Sequence, residues 1–182
     1  KRRIRKLFAA RRSELIMNYS GKNILIIGAG PTGSSTAYLI NKFIKYFHPV
    51  SKLSIIDKGS KLGGRLSTTY DDNGNNLFDL GFRYIKYDKK NVLRTLGIFA
   101  YNDLDKFTNR IYCPIGYSDL FYKNLSDVDT KLNTKIIGID YTKLYDKNQW
   151  KVTVQNNKTL YYDTFYYDFI ISTIPVPQLI QL

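Results

Sequence analysis

The chain of 182 residues has one cysteine, Cys113, and one histidine, His48. A single thiol excludes an intramolecular disulfide framework, and one Cys with one His cannot build a metal site of the Cys/His kind. A reduced compartment fits that count. Hydrolases of the Ser-His or Cys-His type need a base in reach of a nucleophile and usually an orienting third group. With no second histidine to draw on, His48 is expected to end the first helix, where positive charge is favourable. Long apolar runs are also missing. No stretch approaches the about eighteen residues of a membrane-spanning helix, and FAARRSELIM is broken by Arg11, Arg12 and Glu14 where a secretory signal needs an apolar core. No internal repeat is present.

Positive charge is plentiful, at a formal +13. Residues 1–16 hold seven Lys or Arg and one acid, a net +6, which leaves +7 for the rest of the chain. The excess is therefore nearly half local, and it weighs little toward a nucleic-acid partner. Tyr-rich stretches such as NNKTLYYDTFYYDF are what codon bias in an AT-rich genome produces, and no base-stacking surface is inferred from them. The basic leader, residues 1–20, stays open to three readings. Met17 is the initiator and the leader lies outside the native protein; or Ile4, Leu7, Phe8 and Leu15 share a face opposite arginines, as in a Ser-poor mitochondrial transit peptide; or the segment is a basic nuclear or RNA-binding arm. A cytoplasmic location follows from the first reading, a mitochondrial one from the second.

The body is long enough for one domain with a real core. Asn23 to Ile27, NILII, is a continuous apolar run of the kind expected for a strand covered on both faces. It leads into Gly28-Ala-Gly30-Pro-Thr-Gly33, after which Ala37, Ile40, Ile44 and Phe47 recur at helical spacing. Pro31 falls in the first helical turn, where its missing N–H costs nothing. A second apolar strand, Leu53 to Ile56, ends in Asp57, 24 residues beyond Gly33. Strand, glycine turn, helix, strand and terminal acid form a βαβ unit for a dinucleotide. Gly28 serves the turn, Gly30 the approach of the pyrophosphate, Gly33 the helix–strand packing and Asp57 the ribose hydroxyls. This spacing leaves NAD and FAD undecided.

Further on come KGSKLGGRLSTT, residues 58–69, and FDLGFRYI, residues 78–85. Gly63 and Gly64 let main chain run close to a dinucleotide, and Arg65 offers a fork of donors for pyrophosphate or flavin oxygens, the alternative being an ordinary surface arginine. With GAGPTGS, PIGYSDL and IISTIPVPQLIQL, these segments resemble the FAD-dependent amine oxidase superfamily, most closely its renalase family, over about residues 22–182. The resemblance implies an α/β fold. A Rossmann-like FAD-binding domain (residues 21–85) would be followed by the start of an inserted α+β substrate domain (86–130) and a return to the FAD-binding domain (131–182), with the remainder of the family fold lying beyond. It implies FAD contacts at Thr32, Lys58, Arg65, Gly81, Arg83 and Tyr84, with Asp57 as the ribose acid and Ile136 on the adenine side, although core packing explains Ile136 equally well. It also implies oxidation of misreduced dihydronicotinamide dinucleotides to NAD(P)+, with O2 reduced to H2O2. Phe82 and Arg83 depart from the family, which shows a small residue and an amide there, so a generic FAD amine oxidase or desaturase stands as the alternative, and a non-catalytic nucleotide-binding product as another. Residues 134–145 are expected as a strand, with DKNQ turning before WKVTVQ, and Asp168 to Pro175 as a buried parallel strand entering a loop.

Overall fold

A computed structural model describes residues 21–47, 52–81, 85–86, 103–105, 110–112, 116–144 and 146–182. The expectations for the leader, His48, Phe82, Arg83 and Tyr84 lie outside these residues.

Strand β1 (Asn23–Ile27) is followed by helix α1 (Pro31–Phe47) and strand β2 (Lys52–Ile56), as the apolar periodicity predicts. β1 pairs in parallel with β2, Ile24 opposite Leu53 and Ile27 opposite Ile56. Its apolar run serves two cores. Ile24 and Ile26 face a cluster that includes Ala37 of α1, while Leu25 and Ile27 face a second cluster with Ile136, Val152, Val154 and Tyr167. Side chains alternate between the faces of a strand, so a strand covered on both sides carries no polar face.

A 3-10 turn (Gly64–Leu66) leads into the hairpin of β3 (Thr68–Tyr70) and β4 (Asn76–Asp79). Strands β5 (Ile85–Lys86), β6 (Asp103–Asp105) and β7 (Arg110–Tyr112) form a small antiparallel sheet in the order β5-β7-β6. Helix α2 (Tyr117–Asn124) and strand β8 (Asp129–Lys131) follow, then an antiparallel meander of β9 (Thr134–Leu144), β10 (Lys147–Asn156) and β11 (Tyr162–Tyr167). β12 (Phe169–Ser172) returns to β1, and a short helix α3 (Val176–Leu179) comes last. The central sheet has the order β12-β1-β2-β8.

Three details differ from the sequence reading. β8 pairs in parallel with β2, and Tyr117, Leu120, Phe121, Leu125 and Val128 pack into the same cluster as Ile24 and Leu53. Residues 117–131 therefore share the core of β1, α1 and β2, although most of them fall in the 86–130 stretch expected to start the substrate domain. The β9–β10 turn is also tighter than DKNQ: Leu144 already pairs with Lys147, and Asp146 takes a positive φ of 63°. A two-residue hairpin loop requires such angles to follow the strand twist, and Asp tolerates them. Finally, β12 is half-buried along its length because it is the edge of the sheet.

The opposite edge is held by charge. Burial raises the pKa of the Asp129 carboxyl, but a hydrogen bond from Ser54 Oγ (3.0 Å) and the ammonium groups of Lys131 and Lys52 (both 3.3 Å) outweigh this and hold it below its ordinary value. A depressed folded-state pKa gives stability that is present above the unfolded value of about 3.9 and is lost as pH falls through the folded value. Asp129→Asn is therefore expected to melt below the native chain at pH 7, with the difference shrinking as pH falls below about 4. Thermal melts across that range measure it.

Candidate dinucleotide-binding site

The site is built where β1 and β2 end. Gly28 leaves β1 at φ +95°, a left-handed angle that suits glycine, and its N–H donates to Ile56 O at 2.8 Å. Thr173, just past β12, points its hydroxyl at Ile27 O (2.9 Å) and Gly28 O (3.1 Å), tying the turn to the neighbouring strand. Gly33 has no room for a side chain. A Cβ there would collide with the Gly28 carbonyl oxygen and lie 2.8 Å from Thr173 Oγ1. α1 thus starts hard against the end of β1.

Gly30 is the opposite case. A Cβ at this position would find no protein atom within 4 Å. It lies at the N-terminus of α1, whose first turn carries no acid. N–H groups of a first helical turn lack intrahelical acceptors and carry partial positive charge, which suits an anion. Thr32 is exposed on that turn. Ser34 secures the loop from beneath, donating its N–H to Gly30 O and its hydroxyl to Ala29 O, both at 2.9 Å.

Asp57 follows β2 and reaches across to this loop. Ala29 N–H donates to its Oδ2 and Gly59 N–H to its Oδ1, both at 2.6 Å. The second glycine turn closes the other side. Gly63 N–H donates to Ala29 O at 2.8 Å, and a Cβ on Gly64 would lie 3.1 Å from Gly30 Cα. Gly64 takes φ +53°, another left-handed angle. The two glycine loops therefore touch, with the open face of Gly30 beside them. Arg65 is exposed on the 3-10 turn, and Gly81 packs against the Arg65 carbonyl. Lys58 is exposed too, and its carbonyl accepts from Asn157 Nδ2 at 2.9 Å.

A polar lattice holds the second turn from behind. Ser118 Oγ donates to Leu62 O at 3.1 Å and accepts the Thr68 N–H at 2.8 Å. The Thr68 hydroxyl donates to Asp79 Oδ1 at 2.6 Å, and the same oxygen accepts the Tyr117 N–H of α2 at 3.1 Å. Ser118 and Thr68 are buried, so their hydrogen bonds satisfy groups that water does not reach.

Gly28, Gly30, Gly33, Asp57, Gly63 and Gly64 thus come together beyond the ends of β1 and β2, with Thr32 on the first turn of α1, Arg65 on the second glycine turn and Gly81 packed against it. Ile136 is in a different setting: its side chain is buried with Leu25, Ile27 and Val154. Packing accounts for that side chain. The sequence reading did not find Thr173, Ser34, Thr68, Ser118 or Asp79 as supports. Ser34 bonds Ala29 and Gly30 within the same loop, whereas Thr68 and Ser118 bond each other 50 positions apart and Thr173 bonds residues about 145 positions away, so no local spacing signals those three.

Residues 26–99 match the family described as an NAD(P)-binding Rossmann-like domain. No curated protein matches the chain. Among solved structures the chain is similar to the CLA-producing fatty acid isomerase from P. acnes, with a TM-score of 0.57 and 10% identity over 88% of this chain and 60% of that one. It is similar to Tmm from Pelagibacter sp. strain HTCC7211, with a TM-score of 0.51 and 16% identity over 82% and 35% of the two chains. A third likeness is to the flavin-dependent monooxygenase PieE, solved in complex with FAD and substrate, with a TM-score of 0.50 and 11% identity over 82% and 29%. The fold is Rossmann-like α/β. This chain spans from 29% to 60% of the length of those three proteins.

Proposed function

We propose that this chain binds FAD and forms the cofactor-binding part of an oxidoreductase. The observation that carries the reading is the contrast between Gly30 and its neighbours. Gly33 is glycine because the protein itself fills the space, whereas the space at Gly30 is left open at the N-terminus of a helix. A diphosphate fits that space, with the first-turn N–H groups as donors and no nearby first-turn acid to repel it. The second glycine turn, laid against Gly30, favours FAD over a plain nicotinamide-binding domain, which has no need of it. Arg65 would add a cationic donor fork along the dinucleotide. FAD, when bound, supplies hydride acceptance; the chain's own residues bind, orient and shield it.

At a finer level we infer a renalase-like substrate, a misreduced dihydronicotinamide dinucleotide, with O2 as the final acceptor and H2O2 as product. The support is the resemblance in GAGPTGS, DKGSKLGGRLSTT and FDLGFRYI. Phe82 and Arg83 favour a second reading, an amine or desaturation substrate, because they put bulk and charge where the family has neither. The purified chain incubated with FAD and freed of excess is expected to keep a flavin absorption spectrum. Loss of all flavin on desalting would overturn the cofactor assignment. With flavin retained, anaerobic bleaching by dihydronicotinamide isomers faster than by amines supports the finer reading, and the reverse order replaces it with the second.

A further inference from the structure

We propose that Asp57 is a positioning residue that sets the glycine loop for the diphosphate, beyond the ribose contact its place at the end of β2 suggests. The inference rests on the nucleotide-binding reading above and deepens it. The two carboxylate oxygens are divided between two loops: Oδ2 accepts Ala29 N–H and Oδ1 accepts Gly59 N–H, each at 2.6 Å. Ala29 lies between Gly28 and Gly30, so the first bond fixes the main chain whose open face would receive phosphate. The second curls the segment after β2 back onto the same carboxylate.

The backbone of Asp57 is anchored in its turn. Its N–H donates to Lys131 O at 3.0 Å and its carbonyl accepts Thr134 N–H at 2.9 Å, while Asn133 N–H reaches Gly59 O at 2.8 Å. The carboxylate is therefore held by the β8–β9 connection and acts as a fixed post between a glycine turn and a surface loop. Charge-assisted bonds of this length are the strong ones. Each carboxylate oxygen has a further lone pair, so a ribose hydroxyl can still be accepted while both clamps stay closed. A free glycine loop would have to be ordered when the ligand arrives; a clamped one has that cost removed beforehand.

The test separates clamp from ribose contact with two probes, ADP and 2′,3′-dideoxy-ADP, which lacks both ribose hydroxyls. Affinities for the full chain and for Asp57→Asn are measured by calorimetry well below the melting temperature. An amide oxygen can serve one of the two N–H donors, and the amide nitrogen cannot serve the other. The clamp predicts that the substitution weakens dideoxy-ADP as well as ADP, by about tenfold for one charged hydrogen bond lost. A loss confined to ADP assigns Asp57 to the ribose alone and overturns the clamp. If neither probe binds the native chain, the nucleotide reading itself fails. Should Asp57→Asn not fold, the native chain still decides. Under the clamp the Ala29 and Gly59 amide protons of the native chain are both protected from exchange with solvent deuterium; exchange at Ala29 as fast as at a solvent-exposed loop amide overturns it.

Discussion

Gly33→Ala is expected to cost about 3 kcal/mol of folding stability or more and to abolish flavin retention. The added methyl meets the Gly28 carbonyl oxygen, Gly28 C at 2.9 Å and Thr173 Oγ1 at 2.8 Å. Overpacking against side chains typically costs about 1–3 kcal/mol, because neighbours shift rotamer. Here the obstacle is main chain that cannot swing away. Gly28 is held by Ile56 through its N–H and faces Thr173 through its carbonyl, so relief requires moving the start of α1 off the end of β1. That movement also spreads the loop that would carry the diphosphate. For a chain of this size the loss corresponds to a fall in melting temperature of about 10 °C. Thermal denaturation followed by circular dichroism measures it, and an unchanged melt would mean that α1 and β1 are not in contact as described.

Gly30→Asp has the opposite profile. Nothing lies within 4 Å of a Cβ at this position, so the fold is expected to tolerate the substitution, with a melting temperature within about 2 °C of the native chain. Binding is expected to collapse. A carboxylate about 4 Å from a phosphate repels it by about 4 kcal/mol at an effective dielectric of about 20, roughly a thousandfold in affinity. The carboxylate also occupies the volume and competes for the helix N-terminal donors. One substitution thus damages the fold and the other the ligand site, although both fall in one six-residue motif.

The contrast shows what was legible in the sequence. NILII, the glycine turn, the helix and the strand ending at Asp57 obey local rules, since periodicity and spacing within a few turns determine them. The motif assigns Gly30 and Gly33 different tasks; a Cβ at Gly33 would meet main chain, and one at Gly30 would meet nothing within 4 Å. What the sequence does not display is the support. Thr173 reaches the turn only because β12 pairs with β1, a contact across most of the chain. Asp57 looks like a ribose acceptor in one dimension, yet its clamp onto Ala29 depends on how far the β1–α1 loop leans toward β2. Residues 117–131 also resist reading. α2 and β8 are short and lie far along the chain from β1 and β2, so their apolar residues, Leu120, Phe121, Leu125 and Val128, give no sign that their partners are Ile24 and Leu53. The tight β9–β10 turn was hidden by the polarity of DKNQ, whose Lys147, Asn148 and Gln149 are paired strand residues.

Calorimetric titration of FAD into the native chain and into Gly30→Asp, with melting curves recorded on the same samples, tests the central claim most directly. Saturable binding to the native chain at one site, weakened at least about a hundredfold in a variant that melts normally, is the predicted result. Binding that Gly30→Asp leaves unchanged, or no saturable binding to the native chain at all, would contradict the assignment of the open space at Gly30 to the diphosphate of FAD.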